Sequence, residues 1–188
     1  KKMKKTKEII SDKVSVVNQI LPHVNKWAWD LFIDGAANNW MPTEVSMAKD
    51  IEQWKGESLS KAEKVVVKRC LGFFAGSESL VANNLLLSIF KFVTDAECRQ
   101  YILRQAYEES LHNLTVVYCC DSLGLDIDEV YQAYASVPSI KSKDDFLMEI
   151  STDINRVDFD INTIEGKREF LRNLITYYVI CEGIFFYS

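Results

Sequence analysis

Residues 107–118 read YEESLHNLTVVY, inside a long segment of helical apolar periodicity. Glu109 and His112 are three positions apart, so on a helix they share one face, and that face is the apolar one. A carboxylate and an imidazole side by side among core residues call for a partner, because an isolated buried charge is costly. The chain has only one other histidine, His23, which follows Pro22 in a turn region and reads as a surface or cap residue. Glu108 reads as an exposed acid or an acceptor behind the ligands. Glu-x-x-His alone is a weak motif, so its meaning depends on the rest of the chain.

The 188 residues suit one domain, with an N-terminal helix or arm expected over 1–22. Seven glycines and three prolines leave few breaks, which indicates an all-α protein. A net charge of −5 gives no basic footprint for nucleic acid. The opening KKMKKTK precedes no apolar run of signal-peptide type, and no uninterrupted run approaches the roughly 20 apolar residues of a membrane helix. Five cysteines, Cys70, Cys98, Cys119, Cys120 and Cys181, form no CxxC pair and suggest small hydrophobes in a reduced, cytoplasmic protein.

Periodicity predicts a modest helix over 7–21 and an aromatic-rich one over 24–38, then an irregular connection through Pro42 and Gly56. Ser60 and Glu63 form a capping box that opens a helix running to about Val93. Thr94 and Glu97 suggest a second box, opening a helix that ends at Gly124. Short helices are expected near 127–136 and 139–154. A last one starts at 163–166 and runs into YYVICEGIFFYS (177–188), which has no stop signal and no polar face. That ending is expected to be covered by helices beyond residue 188.

Three of these helices carry an acid in apolar surroundings: Glu78 in GFFAGSESLVANNLLL, Glu109 with His112, and Glu182 in the last segment. Ferritin-like dimetal bundles take one Glu from each of two helices and Glu-x-x-His from each of the other two. Glu78 and Glu182 fill the single-Glu places and Glu109–His112 one paired place. The expected architecture is therefore a ferritin-like bundle, incomplete without a second Glu-x-x-His.

At these residues the chain resembles the small, radical-generating subunit of class I ribonucleotide reductase, and within it the chlamydial manganese–iron type. The resemblance runs through KWAWDLFIDGAANNWMPTEVSMAKDIEQWK (26–55), LGFFAGSESLVANNLLLSIFKFVT (71–94), RQYILRQAYEESLHNLTVVYCCDSLGLD (99–126), IKSKDDFLMEI (140–150) and the final YYVICEGIFFYS. It implies that Glu78, Glu109, His112 and Glu182 are metal ligands and that Trp40 relays an electron to a large catalytic subunit. Familiar members carry a radical tyrosine one turn after the histidine. Here that position is Val116, which has no oxidisable group, while Tyr118 is rotated about 200° away from His112. The chlamydial type has phenylalanine there, and its metals store the oxidising equivalent.

The resemblance thus implies a dinuclear Mn/Fe centre, with Fe/Fe compatible with the same donors, activated by O₂ or a reduced oxygen species. The reaction is reduction of ribonucleoside diphosphates to deoxyribonucleotides. Leu80, Val81, Val116 and Phe186 are expected to keep the site dry. The implied partners are the large subunit, a C-terminal half supplying the second Glu-x-x-His from the same or another chain, and a second copy in a homodimer. Neither nucleic acid nor membrane is implied. Two rivals exist: a manganese–iron oxidase of the same fold, whose tyrosine–valine crosslink would fall on Tyr177 and Val81, and a non-catalytic half-subunit scaffold.

Overall fold

The computed structural model describes residues 8–187; the basic stretch at 1–7 and residue 188 lie outside the described residues. It is all-helical apart from one isolated bridge between Ile10 and Val93. The principal helices are α1 (Lys26–Ala37), α2 (Ala48–Lys55), α3 (Lys61–Asn83), α4 (Ala96–Leu123), α5 (Ile127–Tyr131), α6 (Ala133–Ser136), α7 (Pro138–Asp153) and α8 (Ile164–Ile175). α4 lies between α1 and α3, while α7 packs on α3 and α8. Leu85, Ile89, Leu147, Ile150 and Phe170 are almost wholly buried where α3, α7 and α8 meet.

Local signals explain several boundaries. Ser60 Oγ accepts from the Glu63 N–H at 3.2 Å and Glu63 accepts from the Ser60 N–H at 2.8 Å, closing the expected capping box. Gly124 ends α4 at φ +65°, where a side chain would be strained. The expected helix over 127–136 is split at Gln132 into α5 and α6, and α7 matches the expectation for 139–154.

Three expectations are corrected. The described part of the 7–21 segment is not a helix but an irregular arm, held by Ser11 N–H to Phe92 O and Thr94 N–H to Ile9 O. Ile9, Ile10, Val14, Val16 and Val17 are β-branched and disfavour a helix; Val16 and Val17 gain no burial to offset this. The connection after α1 contains α2 and a 3₁₀ turn at Pro42–Glu44. The second capping box does not form: Asp95 caps α4 by accepting from the Cys98 N–H at 2.9 Å. Glu97 instead accepts from the backbone N–H groups of Val24 (3.0 Å) and Asn25 (2.7 Å) and meets His23 Nδ1 at 2.7 Å. His23 therefore fastens the arm to α4.

Two helices change pitch next to an acid of interest. α3 passes into a π turn at Asn84–Ile89, six residues after Glu78. α8 passes into another at Thr176–Cys181, immediately before Glu182. A π turn adds about one residue per turn and so rotates everything after it relative to a regular helix. Lys61–Ile89 is long and apolar enough, by length and composition, to cross a bilayer, but 44% of its most apolar window is buried against the rest of the bundle. All five cysteines are free, and burial pushes the Cys181 thiol up to about 12.

Candidate metal centre

α3 presents Glu78 and α4 presents Glu109 and His112 at one place between the two helices. His112 Nδ1 lies 3.0 Å from Glu109 Oε2 and 3.2 Å from Glu78 Oε2. The three ligand-capable atoms fall within 4.8 Å of one another, so a single cation can touch all three. Both carboxylates are buried, whereas the His112 side chain is 38% exposed. Glu182 arrives by the second π turn, with its N–H bonded to Tyr177 O at 3.1 Å. Glu182 Oε1 is buried without a hydrogen-bond partner.

The electrostatics describe a site short of positive charge. Hydrogen bonds that His112 donates to Glu109 and Glu78 keep its proton on, pushing its pKa up to about 10 against the cost of burial. Burial raises Glu78, opposed in part by His112. Burial, then the charges of Glu109 and Glu78, push Glu182 up to about 7. An imidazolium and a protonated carboxyl thus take up positive charge where a divalent ion would supply it. The donor set, oxygens plus one imidazole nitrogen, suits manganese, iron or zinc.

These shifts set a pH dependence. The folded state holds the Glu182 proton up to about 7, whereas the unfolded chain releases it near 4.5, so stability falls as pH rises between those values. His112 stabilises fully below 6.5, and that contribution is lost as pH rises through about 10. Both effects have the same sign. The thermal midpoint of metal-free protein is therefore expected to be lower at about pH 8 than at about pH 5.5 in a calorimetric scan; a higher midpoint at pH 8 contradicts these assignments.

Groups that the sequence did not single out surround the centre. Tyr178 O–H donates to Gln105 Oε1 at 2.5 Å, and Gln105 Nε2 reaches Glu109 Oε1 at 3.5 Å. This chain steadies Glu109 from the π turn that follows α8. Asp144 is a further buried acid; Ser77 Oγ donates to its Oδ1 at 3.0 Å, and burial raises its pKa. Neither follows from spacing, since both depend on α7 and α8 reaching the α3–α4 pair.

Trp40 comes to the outer side of the centre, its ring centroid 6.3 Å from that of His112. Its indole N–H donates to Glu108, which also pairs with Arg104 at 2.5 Å. Tyr118 turns away, its hydroxyl donating to Val45 O at 2.9 Å. Val116 is buried with Ala75, Cys120 and Val130, and Ala75 is one turn before Glu78. Leu80 and Val81 join the large core, and Phe186 packs edge-on against Phe73 and Phe74. Tyr177 and Val81 belong to one cluster, but the Tyr177 hydroxyl is engaged by Leu147 O at 2.9 Å and Ser151 Oγ at 2.6 Å.

The family model described as "Ribonucleotide reductase, small chain" matches residues 17–188. The chain belongs to this family. As a ribonucleotide reductase small chain it is 52% identical over 172 residues to the ribonucleoside-diphosphate reductase subunit beta of Chlamydia pneumoniae, covering 92% of this chain and 50% of that protein. Over 132 residues it is 30% identical to the ribonucleoside-diphosphate reductase small chain of Spisula solidissima, covering 69% of this chain and 34% of that protein. The fold matches a ribonucleotide reductase R2 subunit from Clostridium botulinum with a TM-score of 0.77 at 21% identity, over 91% of this chain and 51% of that one. The architecture is therefore that of the reductase small chain, and the chain spans about a third to a half of the length of these curated relatives. Membership implies a dinuclear metal centre, and the Glu78–Glu109–His112 group fits a share of it.

Proposed function

We propose that this helical domain supplies the first half of the dimetal site of a cytoplasmic ribonucleoside-diphosphate reductase small subunit. The observation that carries the reading is the convergence of Glu78, Glu109 and His112; Glu182 falls outside that group of three but feels the charges of Glu109 and Glu78, and its Oε1 is buried and unpartnered. Glu78, Glu109, His112 and Glu182 would hold the metals together with a second Glu-x-x-His, from the same or another chain. When bound, the pair supplies one-electron oxidising chemistry drawn from O₂ or a reduced oxygen species. Mn/Fe is the pair that the resemblance to the manganese–iron type implies, and Fe/Fe suits the same donors.

The chain's own residues then have distinct tasks. The buried carboxylates bind and orient; Gln105 and Tyr178 hold Glu109 in place. Trp40 would pass an electron between the centre and a large catalytic subunit, where the ribonucleotide is reduced; its packing against His112 and its hydrogen bond to Glu108 support this role. The working assembly is a homodimer of small subunits with that partner. The oxidase reading is weaker, because a bond from Val81 to the Tyr177 oxygen would disrupt the contacts with Leu147 and Ser151. The scaffold reading fails if assembled protein reduces nucleotides.

Val116 has no oxidisable group, and Tyr118 faces elsewhere. With valine at the family's radical position, activated protein is expected to give no tyrosyl radical signal by electron paramagnetic resonance; a tyrosyl signal would overturn this assignment, and its loss in Tyr178→Phe would move the radical to the tyrosine behind Glu109. Val116→Phe is expected to keep nucleotide reduction while losing about 1–3 kcal/mol of stability, because the larger ring enters a filled cluster. Loss of all turnover in a folded, metal-loaded Val116→Phe variant also counts against it.

A further inference from the structure

α3 opens with KAEKVVVKR (61–69), which places Lys61, Lys64, Lys68 and Arg69 along its first turns. All four line a cleft of about 740 Å³ bounded by α2, the start of α3 and α5–α6. The cleft has apolar walls as well, made by Val65, Leu125, Val130 and Val137, with Trp54 on one side. Its two acids are already engaged. Asp126 caps α5, accepting from the N–H groups of Asp128 (2.9 Å) and Glu129 (3.2 Å), and Glu129 pairs with Lys68 at 2.8 Å.

The other three cations have no carboxylate partner among the described residues. Lys64 Nζ reaches only the Gly56 carbonyl at 3.4 Å and the Trp54 ring, 5.5 Å from its centroid. Solvated lysines need no partner, and a charge run on a helix is usually just a wet face. Here the cations converge on a concave apolar wall in a chain whose net charge is −5. Apolar walls with a few converging charged groups, in a volume of roughly 300–1,000 Å³, characterise small-molecule sites.

We propose that this cleft binds a small polyanion with a planar apolar body, of the nucleoside di- or triphosphate class. The phosphates sit by Lys61, Lys64 and Arg69, and the base lies against Trp54 and the apolar wall. Lys61 is about 25 Å along α3 from Glu78, at 1.5 Å per residue, so binding does not depend on the metal centre or on the function proposed for it.

The test is calorimetric titration of metal-free protein with ATP, inorganic triphosphate, adenosine and a poly-glutamate peptide. ATP is expected to bind with a Kd of about 1 mM or tighter, triphosphate more weakly, and adenosine and the peptide not at all. The double variant Lys61→Glu, Lys64→Glu is expected to weaken ATP binding at least about tenfold, and added salt to weaken it in the unmutated protein. An acid at Lys61 suits a helix N-terminus, so folding should survive, and circular dichroism checks this. Arg69→Glu provides a second variant, expected to weaken ATP in the same direction. No ATP binding, equal affinity for triphosphate, unchanged affinity in folded charge variants, or binding of the peptide alone each overturns the proposal.

Discussion

Trp40→Phe is expected to leave metal content unchanged in the assembled reductase and to reduce nucleotide turnover to background. The indole packs on His112 with ring centroids 6.3 Å apart, and its N–H donates to Glu108. Phenylalanine keeps most of that packing, removes the N–H and is much harder to oxidise. Glu108 is not stranded by the change, because Arg104 remains 2.5 Å away. The structural penalty is therefore limited to roughly one charged hydrogen bond, about 1–3 kcal/mol. None of the four proposed ligands is altered, so metal analysis and turnover should separate cleanly. Turnover near the unmutated level would remove Trp40 from the relay while leaving the metal assignment intact.

His112→Ala is the second large effect, and it falls on binding. The imidazole is the one nitrogen donor in the group and the positive charge that lies 3.0 and 3.2 Å from two buried carboxylates. Without it Glu78 and Glu109 face each other uncompensated, and the burial that already raises Glu78 acts unopposed by the imidazolium. Loss of a group behind a ligand commonly costs about 10–100-fold in metal affinity. Loss of the ligand itself should exceed about 100-fold, read by titration with Mn²⁺ or Fe²⁺ under anaerobic conditions. His23→Ala is the natural control. It is the chain's other histidine and it partners Glu97, away from the centre, so metal affinity should be unaffected. Equal losses in both variants would mean that His112 matters only for folding.

The sequence carried the helical frame and the acids more readily than the connections between them. Ser60 with Glu63 and Gly124 act locally, through their own caps, so their effects are readable from neighbours alone. Thr94 and Glu97 had the same local pattern, but Glu97 is recruited by Val24, Asn25 and His23, more than seventy residues away. A distant arm outcompeted a nearby cap. The rotation separating Val116 from Tyr118 was also legible, because it needs only helical geometry.

The two π turns were not legible. NLLLSI and TYYVIC are mostly apolar with no clear polar face, so an added residue in the turn leaves no mark on their pattern. The link from Tyr178 through Gln105 to Glu109 was hidden for another reason: it exists only once the π turn after α8 comes beside α4. Trp40 lies far from the motif in sequence and entered through the resemblance alone, whereas its contact with His112 is a property of the fold.

The decisive measurement is anomalous diffraction at the manganese and iron edges from crystals of the assembled, metal-loaded small subunit. The account predicts two metal peaks bounded on this chain by Glu78, Glu109, His112 and Glu182, with Glu182 Oε1 taken up as a ligand. No peak between these side chains under metal-replete conditions would contradict it, as would metals bound elsewhere while His112 keeps its contacts with both carboxylates.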